Sequence, residues 1–391
     1  MFRLENHAAN PPRFFEVDVN GDEVTFRFGK VGEKGRSQTS KRASPEDAQK
    51  GAMRTVMAKL GEGFRLVDHV FGKEDLDRLD METVDNSEHC SVFMFRPVLE
   101  FVDSLEHVDD GFAYAVRAEY EDNDILGRLS HLIACERADR LKAMVIGFWG
   151  EDVMSGDKTT EIAELLTSHH DQLPALEALF FADVPYQECE LSWLQIGDVA
   201  PFLCFPGLKH FKTRGNGTLR SPVELPDLRS LVWQSTGLQD DTVRAIGESA
   251  LPSLEHLDLW TGCCERDGVG SPSPLDPLLN RPPPKLKSLG LRNSEFHNAL
   301  IPAIVESAVF RQVEHLDLSM GSVADPGATV LAEALEKDTH NLKRVSLQWN
   351  TVTEPVRNRL LATGLEFDLR PLNAHVSDFG DGPHYFASIT E

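Results

Sequence analysis

The sequence lacks the features that would assign it to a membrane or secreted class. It contains no run of about 18 apolar residues, the length that a membrane-spanning helix requires. Its six cysteines are scattered without a CxxC pair, and the amino terminus has no apolar core of the kind found in secretory signals. We therefore expect a cytoplasmic protein without a disulfide framework or a zinc site.

Recognised signatures of catalysis are also missing. The sequence has no GxxxxGK or GxGxxG loop for phosphates, no GxSxG nucleophile turn and no HExxH zinc helix. Asp378-Phe379-Gly380 spells a kinase triplet, but no kinase catalytic loop or glycine-rich nucleotide loop precedes it. We expect neither enzymatic activity nor a bound cofactor or metal.

Positive charge is scarce and unevenly distributed. The chain of 391 residues has a formal net charge of −24. Residues 1–66 contain 12 Lys/Arg and 9 Asp/Glu, a net +3, which leaves −27 for the remainder. Such an asymmetry predicts two parts with different partners, and the net charge argues against nucleic-acid binding by the molecule as a whole.

The first part, residues 1–68, has the pattern of a small α+β domain. Two β-rich runs, 14–19 and 23–28, flank Asn20-Gly21, a dipeptide that is typical of tight hairpin turns. A glycine-rich loop follows at 28–35, and Ser44-Pro45 begins a helix that presents Ala52 and Val56 to the core. Nine Lys/Arg against four acids between residues 30 and 65 make this part basic.

This order of elements resembles the WGR domain of poly(ADP-ribose) polymerases and of bacterial regulators. Phe28-Gly29-Lys30 stands where that family has Trp-Gly-Arg. The resemblance implies that Phe28 packs on a terminal nucleotide and that Lys30 meets phosphate. With the neighbouring cations, the candidate nucleic-acid-binding residues are Phe28, Lys30, Lys34, Arg36, Lys41 and Arg42. A solvated basic face, or one that docks on the acidic remainder, is the alternative.

The second part begins after an acidic linker or irregular region at 69–97. Residues 98–140 are predicted to form a helical cap, with helices at 98–105 and 125–140. From 141 to 370 the pattern LxxLxL recurs at spacings of 20 to 35 residues, as in Leu254/Leu257/Leu259 and Leu286/Leu289/Leu291. Helical patterns lie between the repeats, and residues 371–391 form a tail.

These repeats predict an α/β fold: a ribonuclease-inhibitor-like leucine-rich-repeat horseshoe after the small domain. Stretches such as "VIGFWG" (145–150) and "EHLDLSMG" (314–321) resemble a bacterial leucine-rich-repeat family of unassigned function. Side chains between the apolar positions would then form a concave face. Its candidate protein-binding residues are His210, Lys212, Arg214, Trp260, Arg292, Arg344 and Gln348.

The predicted function is that of a non-enzymatic interaction protein. The concave face would bind a protein partner, and the WGR-like part would dock or target the molecule. A nucleic-acid-associated regulatory factor, which contacts DNA or RNA ends through residues 1–68, is the alternative. The segment 186–197 interrupts the repeat spacing and contains Trp193, which is consistent either with a second contact surface or with a folded loop that packs Trp193 on the scaffold. No small-molecule substrate and no membrane are expected.

Overall fold

The structure is a computed structural model of the chain. The part that it describes comprises residues 2–6, 9–44, 48, 51–52, 54–56, 58–59, 62, 64–66, 89–90, 92–94, 96–101, 105, 107–118, 123–337, 339–369, 376–378 and 383–385. Residues 69–88, 91 and 95 of the predicted linker and most of the predicted tail lie outside these residues, whereas residues 92–93 and 96–97 of the predicted linker belong to strands.

The amino-terminal part contains a five-stranded antiparallel sheet in the order β4-β3-β2-β1-β5. Its strands are β1 (Phe2–Asn6), β2 (Arg13–Asn20), β3 (Glu23–Lys30), β4 (Arg36–Lys41) and β5 (Arg65–Leu66). Gly21 has a φ of 55°, so the predicted hairpin turn between β2 and β3 is confirmed. A helix, α1, includes residues 48, 51–52, 54–56 and 58–59.

The core of this first part draws on residues that follow it in the chain. The sheet and α1 bury Val17, Ala52 and Val56 among other apolar side chains, as the helical pattern predicts. Val92 belongs to the same cluster, and Phe112 packs against it. The amino-terminal domain is therefore seated on the second part, and a fragment that ends at residue 68 would lack two of its core contacts.

The second part is built on one large sheet of twelve strands, of which β6 pairs antiparallel and eleven are parallel. The bounds are β6 (Val92–Phe93), β7 (Arg96–Glu100), β8 (Ala113–Val116), β9 (Ala143–Gly147), β10 (Ala178–Asp183), β12 (His210–Arg214), β14 (Ser230–Gln234), β15 (His256–Gly262), β16 (Ser288–Ser294), β17 (His315–Asp317), β18 (Arg344–Ser346) and β19 (Glu366–Asp368). Two small sheets pair β11 (Gln195–Asp198) with β13 (Asn216–Thr218), and β20 (Val376–Asp378) with β21 (Pro383–Tyr385).

Helices of unequal length cover the apolar face of the parallel sheet. They are α2 (Ile125–Ala134), α3 (Asp157–His169), α4 (Asp240–Glu248), α5 (Asp276–Asn280), α6 (His297–Glu306), α7 (Ala308–Gln312), α8 (Asp325–Leu335) and α9 (Glu354–Leu361). The apolar positions of the LxxLxL pattern, such as Leu257 and Leu289, are fully buried beneath them. The predicted strand positions from 143 onward and the helices near 243, 301 and 328 are thus confirmed.

The predicted leucine-rich-repeat horseshoe, however, is wrong. Such a solenoid repeats one strand and one helix, but these connections differ in kind. The chain between β12 and β14 forms β13 of a separate small sheet, and the connection from β15 to β16 contains 3₁₀ turns and the five-residue α5. The architecture is a single eleven-stranded parallel sheet with irregular helical cover. The LxxLxL pattern fixes which side chains enter the core, and this requirement applies to any buried parallel strand.

The predicted helical cap is also partly wrong. Residues 96–100 form strand β7 and residues 113–116 form β8, so the parallel sheet begins well before residue 141. Within 98–140 the helix α2 is confirmed. Val98 and Leu99 alternate between the two faces of the sheet, and a run this short does not distinguish a strand from a helix by periodicity.

Candidate nucleic-acid interface

The glycine-rich loop of the amino-terminal domain closes tightly over an aromatic ring. A Cβ atom added to Gly35, whose φ is 70°, would lie 2.5 Å from Cζ of Phe14. One added to Gly29 would lie 2.8 Å from Cα of Gly35. The close approach of β3 to the loop therefore requires glycine at both positions, which explains why Gly29 and Gly35 begin and end the glycine-rich loop.

A buried carboxylate holds two arginines around the same ring. Glu16 is almost fully buried and accepts hydrogen bonds from Arg3 and Arg27. The guanidinium carbons of Arg3 and Arg27 lie 4.7 and 5.5 Å from the centroid of Phe14. Burial alone would raise the pKa of Glu16, but the hydrogen bonds from Arg27 and Arg3 lower it overall. Glu16 therefore holds both arginines in place, while 27% and 38% of their side chains stay exposed.

Phe28, by contrast, is the aromatic side chain that this domain presents to solvent. It lies opposite Phe15 in β2 and opposite Arg36 in β4, so the three side chains share one face of the sheet. The Phe28 ring is stacked 6.1 Å from that of Phe15, centroid to centroid, and 40% of the residue stays exposed. One ring face is thus supported while the rest can receive a ligand.

Three further cations surround this end of the sheet. Lys30 ends β3, is 57% exposed and lies 3.4 Å from Glu33, while Lys34 is exposed in the loop that follows. Arg13 is exposed directly opposite Lys30 and was missed from the sequence. The hairpin register could have identified it, because a two-residue turn that pairs Asn20 with residue 23 also pairs residue 13 with residue 30.

The structure divides the six predicted nucleic-acid residues into two groups. Phe28, Lys30, Lys34 and Arg36 lie together at one end of β3 and β4. Lys41 and Arg42 lie at the other end, because Phe28 is paired with Arg36 whereas Glu23 is paired with Lys41. Five residues of antiparallel strand separate the groups by about 17 Å. Lys41 also forms an ion pair of 3.0 Å with Asp22, which raises the pKa of the lysine.

The residues predicted to line an open concave face are mostly interior. Lys212, Arg214, Trp260, Arg292 and Gln348 are buried, and His210 and Arg344 are partly buried. Trp260 is fully buried, so the prediction that it is an exposed contact is wrong. Successive strands place these side chains next to one another, where most of them are buried against their neighbours.

Their contacts show this directly. Nζ of Lys212 lies 4.5 Å from the centroid of Phe180, and Nε of Arg214 donates to Gln234 at 3.0 Å. Arg292 forms a buried ion pair with Asp258 at 3.1 Å. Burial raises the pKa of Asp258, although the charge of Arg292 opposes that shift. This face of the sheet is an internal polar layer.

The described residues contain no group of three or more His, Cys, Asp or Glu side chains that could hold a metal ion. No helix among them has the length and apolarity to cross a bilayer. The vicinal thiols of Cys263 and Cys264 are not activated, since burial raises the pKa of both. The amino-terminal interface is thus the site with the clearest ligand-binding geometry.

Comparison with known proteins identifies the amino-terminal part. A full-length match is a protein of Bacteroides fragilis with a solved structure: it is 23% identical, covers 100% of both chains and superposes with a TM-score of 0.61, which shows a shared fold. An internalin of Listeria monocytogenes is 14% identical over 61% of this chain and 69% of its own, but its TM-score of 0.31 supports no argument. No curated protein matches the chain. Residues 1–70 match the WGR domain family, and this part of the chain is a WGR domain.

Proposed function

We propose that the protein binds nucleic-acid ends through its WGR domain, with Phe28 stacking on a terminal base and Lys30, Lys34 and Arg36 contacting the adjacent phosphates. The observation that carries the proposal is the half-exposed Phe28 ring, supported from behind by Phe15 and flanked by Arg36. The WGR domain as a class is associated with nucleic-acid binding, which agrees with this assignment. The proposal includes no catalytic step.

The geometry favours ends over continuous duplex. Inside a double helix both faces of every base are already stacked, so an aromatic side chain gains contact only where a base face is free. Phe28 offers one ring near the end of β3, and the aromatic contact described for it is the stack on Phe15. The surrounding lysines and arginine supply the charge that a terminal phosphate requires.

The acidic remainder of the molecule limits this contact to close range. The charge of −27 outside residues 1–66 repels nucleic acid. Salt at about 0.1 M screens exposed charges over about 10 Å, so the local cations dominate only for a ligand that touches them. We therefore expect weak nonspecific affinity and a clear preference for a ligand that stacks on Phe28.

The test is a fluorescence titration of the full-length protein with a blunt DNA duplex of about two helical turns at about 50 mM salt. We expect Phe28→Ala to weaken binding by about 5- to 100-fold, the range for loss of one base–aromatic stack. Trp193→Ala is the matched control, because Trp193 is 57% exposed but lies in the second part of the chain. Equal losses in the two variants, or no binding by the wild type, would contradict the proposal.

A protein contact is the second candidate function, and a different surface supports it. In the connection between β10 and β11, Tyr186 is 51% exposed and Trp193 is 57% exposed. Large exposed aromatic side chains are enriched in protein interfaces. To test this candidate, the proteins captured by affinity purification with the wild type are compared with those captured by a Tyr186→Ser/Trp193→Ser variant. Identical sets of captured proteins would contradict a protein contact at this surface.

A further inference from the structure

The end of β4 that lies far from Phe28 contains an open cleft. Arg42, Ala43, Gly51 and Arg54 line it, and its volume is about 430 Å³. The cleft lies between the end of strand β4 and helix α1. The glycine-rich loop at 28–35 is not among the described residues that line the cleft. Arg54, the second arginine of the cleft, is not one of the nucleic-acid-binding residues that the sequence predicted.

The two arginines of this cleft differ from several other cations of the domain. Five others lie within ion-pair distance of a carboxylate: Arg3, Arg27, Lys30, Lys41 and Lys59. Arg42 and Arg54 are both exposed, and neither forms an ion pair within the part of the chain that the structure describes. Their charge is therefore available to an external anion.

Gly51 gives the cleft its shape. A Cβ atom added to Gly51 would lie 3.6 Å from Nε and 3.7 Å from Cζ of Arg42, so the guanidinium group lies directly over the bare helix backbone. Arg54 follows three residues later on the same face of α1. Two guanidinium groups that converge on one cleft offer the planar, multiple hydrogen-bond donors that suit a phosphate group.

Strand β4 connects this cleft to the Phe28 end of the sheet. It is an edge strand, and all of its residues are exposed or partly exposed. Between Arg36 and Lys41 it carries exposed Ser37 and Gln38, whose hydroxyl and amide groups can donate hydrogen bonds, whereas Thr39 is hydrogen-bonded to Thr25 and the Ser40 hydroxyl is buried. The length of β4, about 17 Å, spans about three phosphates of one nucleic-acid strand, because successive phosphates along the backbone are about 6–7 Å apart.

We propose that the Arg42/Arg54 cleft binds a backbone phosphate about three nucleotides from the end that contacts Phe28, with the intervening strand following β4. The proposal rests on the proposed function, because the position of the end is given by Phe28. It extends that function from a terminal contact to a footprint of about three nucleotides.

The test measures the affinity of the full-length protein for end-labelled duplexes in which single phosphates are replaced by neutral methylphosphonates. For the wild type we expect weaker binding when the replaced phosphate is about three steps from the end. An Arg42→Gln/Arg54→Gln variant should bind the unmodified duplex more weakly, with a salt-dependence slope smaller by about 1 to 2, and should not respond to that replacement. The control variant Lys209→Gln/Lys343→Gln makes the same change in net charge at exposed positions on the parallel sheet.

A second variant tests the cleft without removing its arginines. Gly51→Asp keeps both arginines but places a carboxylate beside the Arg42 guanidinium, so it should reproduce the loss of binding. Thermal unfolding of each variant should match the wild type, because the arginines are exposed and make no described ion pair.

The outcomes separate the two proposals. Binding that requires Phe28 but is unchanged in Arg42→Gln/Arg54→Gln overturns the cleft and leaves the terminal contact intact. A variant that still responds to the distant methylphosphonate as the wild type does also overturns the cleft. Wild-type protein that binds no duplex overturns both proposals.

Discussion

Removal of the Arg292 guanidinium should destabilise the parallel sheet strongly, because it leaves a buried carboxylate without its cation. Arg292 is 1% exposed, and its guanidinium group is fixed by hydrogen bonds that it donates to Asp258 at 3.1 Å and to Ser319 at 3.0 Å. At an effective dielectric constant of about 20, unit charges at this separation attract by about 5 kcal/mol. Breaking a buried pair from one side usually costs about 3–5 kcal/mol, and we expect Arg292→Met to fall in that range.

Urea unfolding at pH 7, followed by circular dichroism, measures this cost. The double variant Arg292→Met/Asp258→Asn should recover about 2 kcal/mol or more of the loss, because it removes the stranded charge together with its partner. Burial already raises the pKa of Asp258. Without Arg292 its protonation becomes easier still, so the loss in Arg292→Met should shrink as the pH falls from 7 to 5. A loss below about 1 kcal/mol, or a double variant no more stable than the single one, would refute a buried ion pair.

Two further predictions concern buried side chains of the same sheet. Trp260→Ala should reduce the free energy of unfolding by about 3–5 kcal/mol. Trp193→Ala, at an exposed position, should change it by less than about 1 kcal/mol. Comparable thermal unfolding midpoints for the two variants would place Trp260 at the surface. Burial lowers the pKa of His256 to about 4 from its ordinary value of 6.5, so the unfolded chain binds more protons between these values and stability falls as the pH decreases through this window. His256 should account for about 2 kcal/mol of the loss at pH 5, and His256→Leu should remove that share; an unchanged pH dependence would contradict the assignment.

Much of the strand assignment could be predicted from sequence, for a specific physical reason. Leu257, Leu259, Leu289 and Leu291 must enter a core, and their alternation fixes both the strand and the buried face. The pattern does not specify what connects the strands. Connections such as the one from β12 to β14 are governed by local turns and side-chain contacts, so the repeat pattern alone suggested a regular horseshoe that is not present.

The opposite face of the sheet could not be predicted for a related reason. Polar residues between core positions usually face solvent, and Lys212, Trp260 and Arg292 were interpreted in that way. Their burial depends on neighbours in adjacent strands, such as Asp258, which sequence separation conceals. When the residues on both faces of a strand are buried, polar and apolar positions no longer distinguish the buried face from the exposed one. The tertiary structure is then needed to show that both are buried.

The WGR domain was more accessible to sequence reasoning because its turn fixes its register. The turn at Gly21-Asp22 pairs Asn20 with Glu23, which puts Phe28 opposite Phe15, and this register places the exposed ring on a supported face. The basic residues lie at two ends of the sheet because β4 is six residues long, and this separation could have been derived from the sequence by counting the residues between Arg36 and Lys41. The cleft itself could not, because Arg42 and Arg54 meet only through the packing of α1 against the sheet.

Competition between DNA with and without ends tests the central claim most directly. Full-length protein is bound to a labelled blunt duplex and challenged with equal masses of unlabelled linear duplex or of the same sequence as a covalently closed circle. Because Phe28 stacks only on a free base face, linear competitor should displace the label at about 5-fold lower concentration or less, and Phe28→Ala should abolish that difference. Equal competition by the two forms with wild-type protein would contradict end binding through Phe28.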